Sequence, residues 1–98
     1  MTAQHNEPNS DPDRPLLALM REIDALDDAL VSLLRRRFEA SRMIGDLKKA
    51  RGYPKTDPNR IASQRLSFIG KCTQATLNED MASKLIDVIV QQVIAERS

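Results

Sequence analysis

Four charged side chains in the middle of the chain have the types and the spacing of a site for a small anion. Arg37 and Lys48 are eleven residues apart. On one helix, at ~100° per residue, they would lie nearly in register and about 16.5 Å apart along the axis. Arg60 follows, with Asp57 three residues before it, where the start of a helix would present free N–H groups. These groups could hold a dianion between two long cationic side chains, with Arg60 closing the site.

Residues typical of proton-transfer or covalent catalysis are scarce. His5 is the only histidine and lies in a polar segment, and Cys72 is the only cysteine. The sequence has no glycine-rich phosphate loop and no ligands with metal-site spacing. An enzyme built on these residues would work by positioning and charge stabilisation. The plainer alternative is that Arg37 and Lys48 only extend their aliphatic stems along an apolar seam.

A single helix over residues 15–50 would position Arg37 and Lys48. Asp13 and Pro15 suit its start, and Gly52 followed by Pro54 suits its end. An alternative is a helix broken near Gly45, which would give a compact monomer. The apolar stripe that predicts the helix recurs at steps of three and four and consists of Leu16, Leu19, Ile23, Leu26, Leu30 and Leu33.

The length of this helix predicts an assembly. Residues 15–50 would span about 54 Å, whereas a compact globule of 98 residues is roughly 32 Å across. The chain cannot cover its own stripe, so we expect an obligate homodimer with the two long helices side by side and antiparallel.

The rest of the chain predicts a polar, disordered tail over residues 1–14 and an all-α domain of three helices over residues 15–98. A second helix should run from Pro58 to about Lys71 after an Asp57 N-cap, with a turn over residues 70–76. A third should start after Asn78 and end near Arg97. Their expected buried residues are Ile61, Leu66, Phe68 and Ile69, then Met81, Leu85, Ile86, Ile89, Val90 and Val93.

Composition excludes several classes of partner. The content of hydrophobic residues is 41% but that of aromatic residues is only 3%, which predicts an aliphatic helical core. The formal net charge of +1 favours neither nucleic acid nor a membrane surface. The run Arg35-Arg36-Arg37 is therefore a weak basis for nucleic-acid binding, and we expect none. The lone cysteine and the absence of a long apolar run predict a cytoplasmic protein.

The segment LLALMREIDALDDALVSLLRRRFEASRMIGDLKKARG, followed by PKTDPNR, resembles the all-helical, type II chorismate mutase family. The resemblance covers residues 16–97. It is carried by the spacing of Ile23-Asp24, Leu26-Asp27, Leu30, Leu33-Leu34, Arg37 and Lys48. It implies an intertwined dimer of three-helix chains with sites shared between chains.

The resemblance also implies a reaction. Family members convert chorismate, a dicarboxylate, to prephenate by a pericyclic rearrangement without a cofactor. By position, Arg37 would hold a carboxylate and Lys48 the ether oxygen and a carboxylate. Arg60 would add positive field, and Asp57 would lie near the ring hydroxyl. A cation at the ether oxygen favours the transition state because charge develops there.

Four positions depart from the family pattern. Its first arginine, which reaches into the partner's site, falls on Met20, with Arg21 one place later. Its ring-hydroxyl glutamate falls on Ile61, and its helix-three serine on Val93. Its ether-oxygen glutamine falls on Arg97, or on Glu96 after a slip of one residue.

These departures keep alternatives open. A mutase for 4-amino-4-deoxychorismate and an isochorismate pyruvate lyase share the fold. A non-catalytic helical dimer that binds a metabolite or a protein is the third possibility.

Overall fold

The computed structural model describes residues 12–97, which form three α-helices and no strand. They are α1 (Arg14–Ala50), α2 (Pro58–Gln74) and α3 (Glu79–Arg97). This confirms the all-helical, three-helix prediction. His5 and most of the predicted tail lie outside the described residues. None of the three helices is long and apolar enough to cross a membrane. The chain divides into two compact units, Met1–Arg37 and Phe38–Ser98.

Helix α1 begins and ends where its sequence predicts. The carbonyl of Asp13 accepts the first helical hydrogen bond, from Leu17 N at 2.9 Å. The helix is continuous through Gly45, so the alternative of a break there is wrong. At the C-terminal end, Gly52 has φ +71°, and Tyr53 N donates to the carbonyl of Lys48 at 2.8 Å. This is the Schellman arrangement, in which a left-handed residue closes the last turn.

Within residues 12–37, the described part of the N-terminal unit, no apolar side chain is buried. The six residues of the predicted stripe are between 53% and 60% exposed. The proposed dimer, which would cover this stripe, remains a prediction.

In the C-terminal unit, α2 and α3 pack against each other as a hairpin. The side chains buried at their contact are Cys72, Ala82, Ile86 and Ile89. Half-buried beside them are Ile61, Phe68, Ile69, Val90 and Val93.

The burial expected for three apolar residues is wrong within this chain. Leu66 is 69% exposed, and Met81 and Leu85 are just over 40% exposed. A helix with one close neighbour covers only the stripe that faces that neighbour. The pattern also missed Cys72 and Ala82, which lie on the facing stripe.

An ion pair links the two helices of the hairpin. Arg65 Nε donates to Asp87 Oδ1 at 2.8 Å, and its Nη2 donates to the hydroxyl of Ser83. The hydrogen bond to Asp87, followed by the negative charge of Asp87, raises the pKa of Arg65 above its ordinary value.

Helix α2 is three residues longer than predicted. It runs to Gln74, and Gly70 lies inside it rather than in a turn. A single glycine costs a helix only ~1 kcal/mol, and continuing the helix buries Cys72 against α3. The turn is Ala75–Thr76, where Thr76 has φ +61°.

Both predicted N-caps are confirmed. The Asp57 carboxylate accepts the N–H of Asn59 at 3.0 Å and that of Arg60 at 3.3 Å. The side chain of Asn78 accepts the N–H of Met81 at 2.8 Å. Each cap satisfies N–H groups that have no partner within the helix.

Candidate active site

A cavity of about 710 Å³ lies in the C-terminal unit, between the second half of α1, the segment joining α1 to α2, and the end of α3. Five of its lining side chains are cationic and two are carboxylates, so the cavity suits an anionic ligand. The lining residues are Phe38, Ser41, Arg42, Gly45, Asp46, Lys48, Lys49, Gly52, Tyr53, Lys55, Val93, Glu96 and Arg97.

Helical spacing explains the α1 wall of this cavity. Ser41, Gly45, Lys48 and Gly52 follow one another at steps of four, three and four, which places them on one face. Lys48 is half-buried, and its carbonyl accepts the Tyr53 N–H that closes the helix. The cap therefore fixes the backbone of Lys48 and directs the chain after Gly52 along the cavity.

The α3 wall comes from its last turn, where Val93, Glu96 and Arg97 share one face. Glu96 forms an ion pair with Arg42 of α1, with 3.2 Å between Arg42 Nη1 and Glu96 Oε1. Arg97 donates from Nη2 to the carbonyl of Ser41 at 3.2 Å and to its hydroxyl at 3.1 Å. Its Nη1 donates to the carbonyl of Lys55 at 3.3 Å.

Three of the predicted site residues meet in this cavity: Lys48, Val93 and Arg97. Both Arg97 and Glu96 line the cavity, so which of them takes the position of the family's ether-oxygen glutamine remains open. Arg97 directs its guanidinium to Ser41 and Lys55, whereas Glu96 pairs with Arg42.

The other predicted residues are placed differently. Asp57, Arg60 and Ile61 surround the start of α2 and do not line the cavity. Asp57 caps the helix, Arg60 is exposed and Ile61 is half-buried.

Met20, Arg21 and Arg37 belong to the N-terminal unit. Within that unit Met20 and Arg21 are exposed, whereas Arg37 is half-buried. A contribution of these three residues to the site remains a prediction.

Sequence reasoning missed four residues that shape the cavity. Ser41 is seven residues, or two helical turns, before Lys48 on the same face of α1, so the helical period could have found it, and Arg42 is its neighbour in the sequence. Tyr53 and Lys55 follow the helix end in an irregular segment. Lys55 takes part through its backbone carbonyl, for which the side-chain sequence has no signal.

Comparison with known proteins places the chain. Residues 19–97 match the chorismate mutase type II family. The chain is 30% identical over 78 residues to a 4-amino-4-deoxychorismate mutase of Streptomyces venezuelae, a match that covers 80% of this chain and 76% of the relative. No solved structure matches the chain. The family match spans the cavity, α2, α3 and all but the first five residues of α1, and the chain belongs to the chorismate mutase type II family.

Proposed function

We propose that the chain is an isomerase that rearranges chorismate or a close relative of chorismate inside the cationic cavity. The observation that carries the proposal is the meeting of Lys48 and Arg97 in one cavity, in a chain of this family. A substrate with two carboxylates would complement a lining in which cations outnumber carboxylates five to two.

The reaction needs no proton or electron from the protein. The ether C–O bond breaks while a C–C bond forms within the same molecule, and the electron pairs move around a ring of six atoms. Negative charge grows on the ether oxygen in the transition state. In our proposal the Lys48 ammonium faces that oxygen, so its contact strengthens as the bond breaks and lowers the barrier.

The carboxylates would be held by arginines. We propose Arg37 for one of them and Arg60 as a source of positive field. The Asp57 carboxylate does not line the cavity and already accepts two backbone N–H groups, so a contact with the substrate ring would require the ring to reach the start of α2 and would use the remaining lone pairs of Asp57.

Two observations favour a substrate other than chorismate itself. The relative named above is a 4-amino-4-deoxychorismate mutase. In addition, Ile61 offers no hydrogen bond to a ring hydroxyl. We therefore place the 4-amino analogue beside chorismate as the second candidate, ahead of isochorismate.

The test is a product assay. Purified protein is incubated with chorismate, isochorismate and 4-amino-4-deoxychorismate, and the products are identified by chromatography and mass. Rearrangement of chorismate or of the amino analogue supports the proposal. Formation of pyruvate from isochorismate would indicate a lyase. Failure to turn over all three compounds would favour the non-catalytic dimer.

Lys48→Ala tests the mechanism in the same assay. Loss of a donor that stabilises transition-state charge costs ~2.7–4 kcal/mol, so we expect kcat to fall about 100- to 1000-fold with a smaller change in KM. Arg37→Ala should raise KM as well. Lys71→Ala is the matched control, because Lys71 is exposed on α2 and does not line the cavity. Equal and small effects of Lys48→Ala and Lys71→Ala would contradict the proposed role.

Ile61→Glu separates the two substrates. A glutamate could accept a hydrogen bond from the ring hydroxyl of chorismate, and an unpaired buried hydroxyl costs ~1–3 kcal/mol. If chorismate is the substrate, turnover of chorismate should rise. If the amino analogue is the substrate, chorismate turnover should rise while the original activity falls. No change in either would mean that Ile61 is only a packing residue.

We also propose that the protein acts as a homodimer with sites shared between chains. Its support is the α1 stripe, whose six residues are each more than half exposed. In this arrangement Met20 or Arg21 of one chain would reach the site of the other.

A further inference from the structure

We propose that Arg97 is a positioning residue, whose guanidinium holds the segment between α1 and α2 in place and so sets the shape of the cavity beside Lys48. Its hydrogen bonds reach two separate parts of the chain. Nη2 bonds the carbonyl and hydroxyl of Ser41 on α1, and Nη1 bonds the carbonyl of Lys55 in the connecting segment.

The cavity is a gap that depends on such bridges. Within residues 38–97, no Cα atom of α1 comes within 8 Å of a Cα atom of α3. Among the described residues, side-chain bridges from Arg97 to Ser41 and from Arg42 to Glu96 cross this gap. Arg97 also lies along the α1 wall, since its Nε is 3.5 Å from the place where a Cβ atom on residue 45 would be.

The connecting segment has few other attachments. Tyr53 is held by its N–H bond to Lys48, and Asp57 is held at the start of α2. Between them, within the described part of the chain, residues 54–56 form one hydrogen bond to a helix, the bond from Arg97 to the Lys55 carbonyl. Loss of Arg97 would remove this polar attachment of the middle of the segment to the helices of residues 38–97.

Arg97 holds the connecting segment through the geometry of its hydrogen bonds and not through attraction between opposite charges. All three acceptors are neutral oxygens of Ser41 and Lys55, and Arg97 forms no ion pair within the described residues. A planar guanidinium can reach several oxygens at once, whereas a lysine ammonium is a point charge on a flexible stem. A lysine at position 97 would keep the positive charge, but it should therefore not reproduce the effect of Arg97 on the segment.

The test measures the connecting segment directly. Amide hydrogen exchange at residues 53 and 55–57, and tryptic cleavage of the Lys55–Thr56 bond, are compared among wild type, Arg97→Gln and Arg97→Lys. Three hydrogen bonds of typical net strength predict that both variants raise exchange and cleavage by about tenfold or more. Ser41→Ala removes one of the three acceptors and should raise them by about two- to threefold.

Arg42→Gln is the matched control for this measurement. It breaks the other bridge between α1 and α3, which does not reach Lys55. We expect exchange at residues 53–57 to change by less than about twofold in this variant. Circular dichroism checks whether each variant is folded, and Ser41→Ala keeps the proposal testable if the Arg97 variants do not fold.

Two results would overturn the proposal. One is that the segment in Arg97→Lys is protected from exchange and cleavage as well as in the wild type, because a positive charge alone would then be sufficient to hold the segment. The other is an unchanged segment in Arg97→Gln together with a raised KM, which would make Arg97 a direct substrate ligand.

The activity readout rests on the proposed function, whereas the exchange readout does not. If Arg97 positions the cavity, kcat should fall in both Arg97 variants and Arg97→Lys should not rescue it. Raised exchange in a protein that turns over none of the three substrates would support the positioning role and count against the proposed function.

Discussion

The two compact units contain similar apolar helical patterns but use them differently. In the N-terminal unit, the stripe from Leu16 to Leu33 recurs at regular helical steps, yet each of its residues is more than half exposed. In the C-terminal unit, α2 and α3 cover each other, and Ala82 and Ile86 are fully buried. An apolar stripe on a helix predicts that another surface will cover it. It does not predict whether that surface belongs to the same chain or to another chain.

The difference in burial between the two units is also a difference in stabilising free energy. Burial of apolar surface is worth roughly 25 cal/mol per Å². Among the described residues, the apolar side chains classed as buried all belong to the C-terminal unit. That unit also contains the cavity, so the candidate site and the small core belong to the same part of the chain. In our proposal, the N-terminal stripe obtains its burial from a second copy.

Leu26→Glu should have the largest effect of the substitutions considered, because it should abolish the proposed dimer. If the stripe is the dimer seam, the variant places a carboxylate of each chain in an apolar contact, where an unpaired charge is very unfavourable. Sedimentation at micromolar concentration should show a dimer of about 22 kDa, twice the 11.0 kDa chain, for the wild type and no dimer for the variant.

Val31→Glu is its control, because Val31 is 66% exposed and off the stripe. The dimer should survive this change. A wild-type protein that sediments as a stable folded monomer would remove the basis of the assembly proposal.

Ile86→Ala should have the next largest effect, confined to the C-terminal unit. Ile86 is fully buried between α2 and α3, and replacing such a residue with alanine costs ~2–5 kcal/mol. Urea unfolding at a fixed chain concentration measures the change in the free energy of unfolding. Val88→Ala on the same helix is the comparison, since Val88 is 64% exposed, and we expect a change within about 0.5 kcal/mol. Similar losses in both variants would show that a further surface covers Val88.

Thr76→Gly should stabilise the C-terminal unit by about 1 kcal/mol. Thr76 has φ +61° at the cap of α2, the conformation that Gly52 adopts at the cap of α1. A β-branched residue is strained there, whereas glycine is not. The free energy of unfolding should rise, and the reciprocal change Gly52→Thr should lower it. A loss of stability in Thr76→Gly would mean that the threonine side chain contributes more than its strain costs.

Gly70→Ala should give the smallest gain, about 0.5–1 kcal/mol. Gly70 lies inside α2, and no atom lies within 4 Å of the place where its Cβ would be. Alanine therefore adds helix propensity without a clash. The gain should appear as a higher midpoint of thermal unfolding. An unchanged or lower midpoint would indicate that a partner chain approaches this position.

Prediction from sequence worked best for local structure. The start and end of α1 and both N-caps follow from residue types within a few positions of one another. It failed where a local preference was weighed against distant packing. Gly70 suggested the end of α2, but burial of Cys72 against α3 carries the helix on to Gln74.

Some residues of the candidate site could likewise be predicted from sequence, whereas the placement of others could not. Helical spacing identifies Lys48, and the position of Val93 and Arg97 on α3 follows from the resemblance to the family. The distinct placement of Asp57, as a cap outside the cavity lining, required the structure.

The sequence by itself determined three helices and their caps, because hydrogen bonds and capping groups within a helix join residues three or four positions apart. It also determined membership in the family, because the family match is a comparison of sequences. Only the tertiary structure decided which helical faces are covered and where the Arg97 guanidinium goes. Its acceptors lie on Ser41 and Lys55, 56 and 42 residues away in the chain. A bond between such distant residues depends on how whole elements are placed, and a carbonyl acceptor is present at every residue, so no residue type marks it in advance.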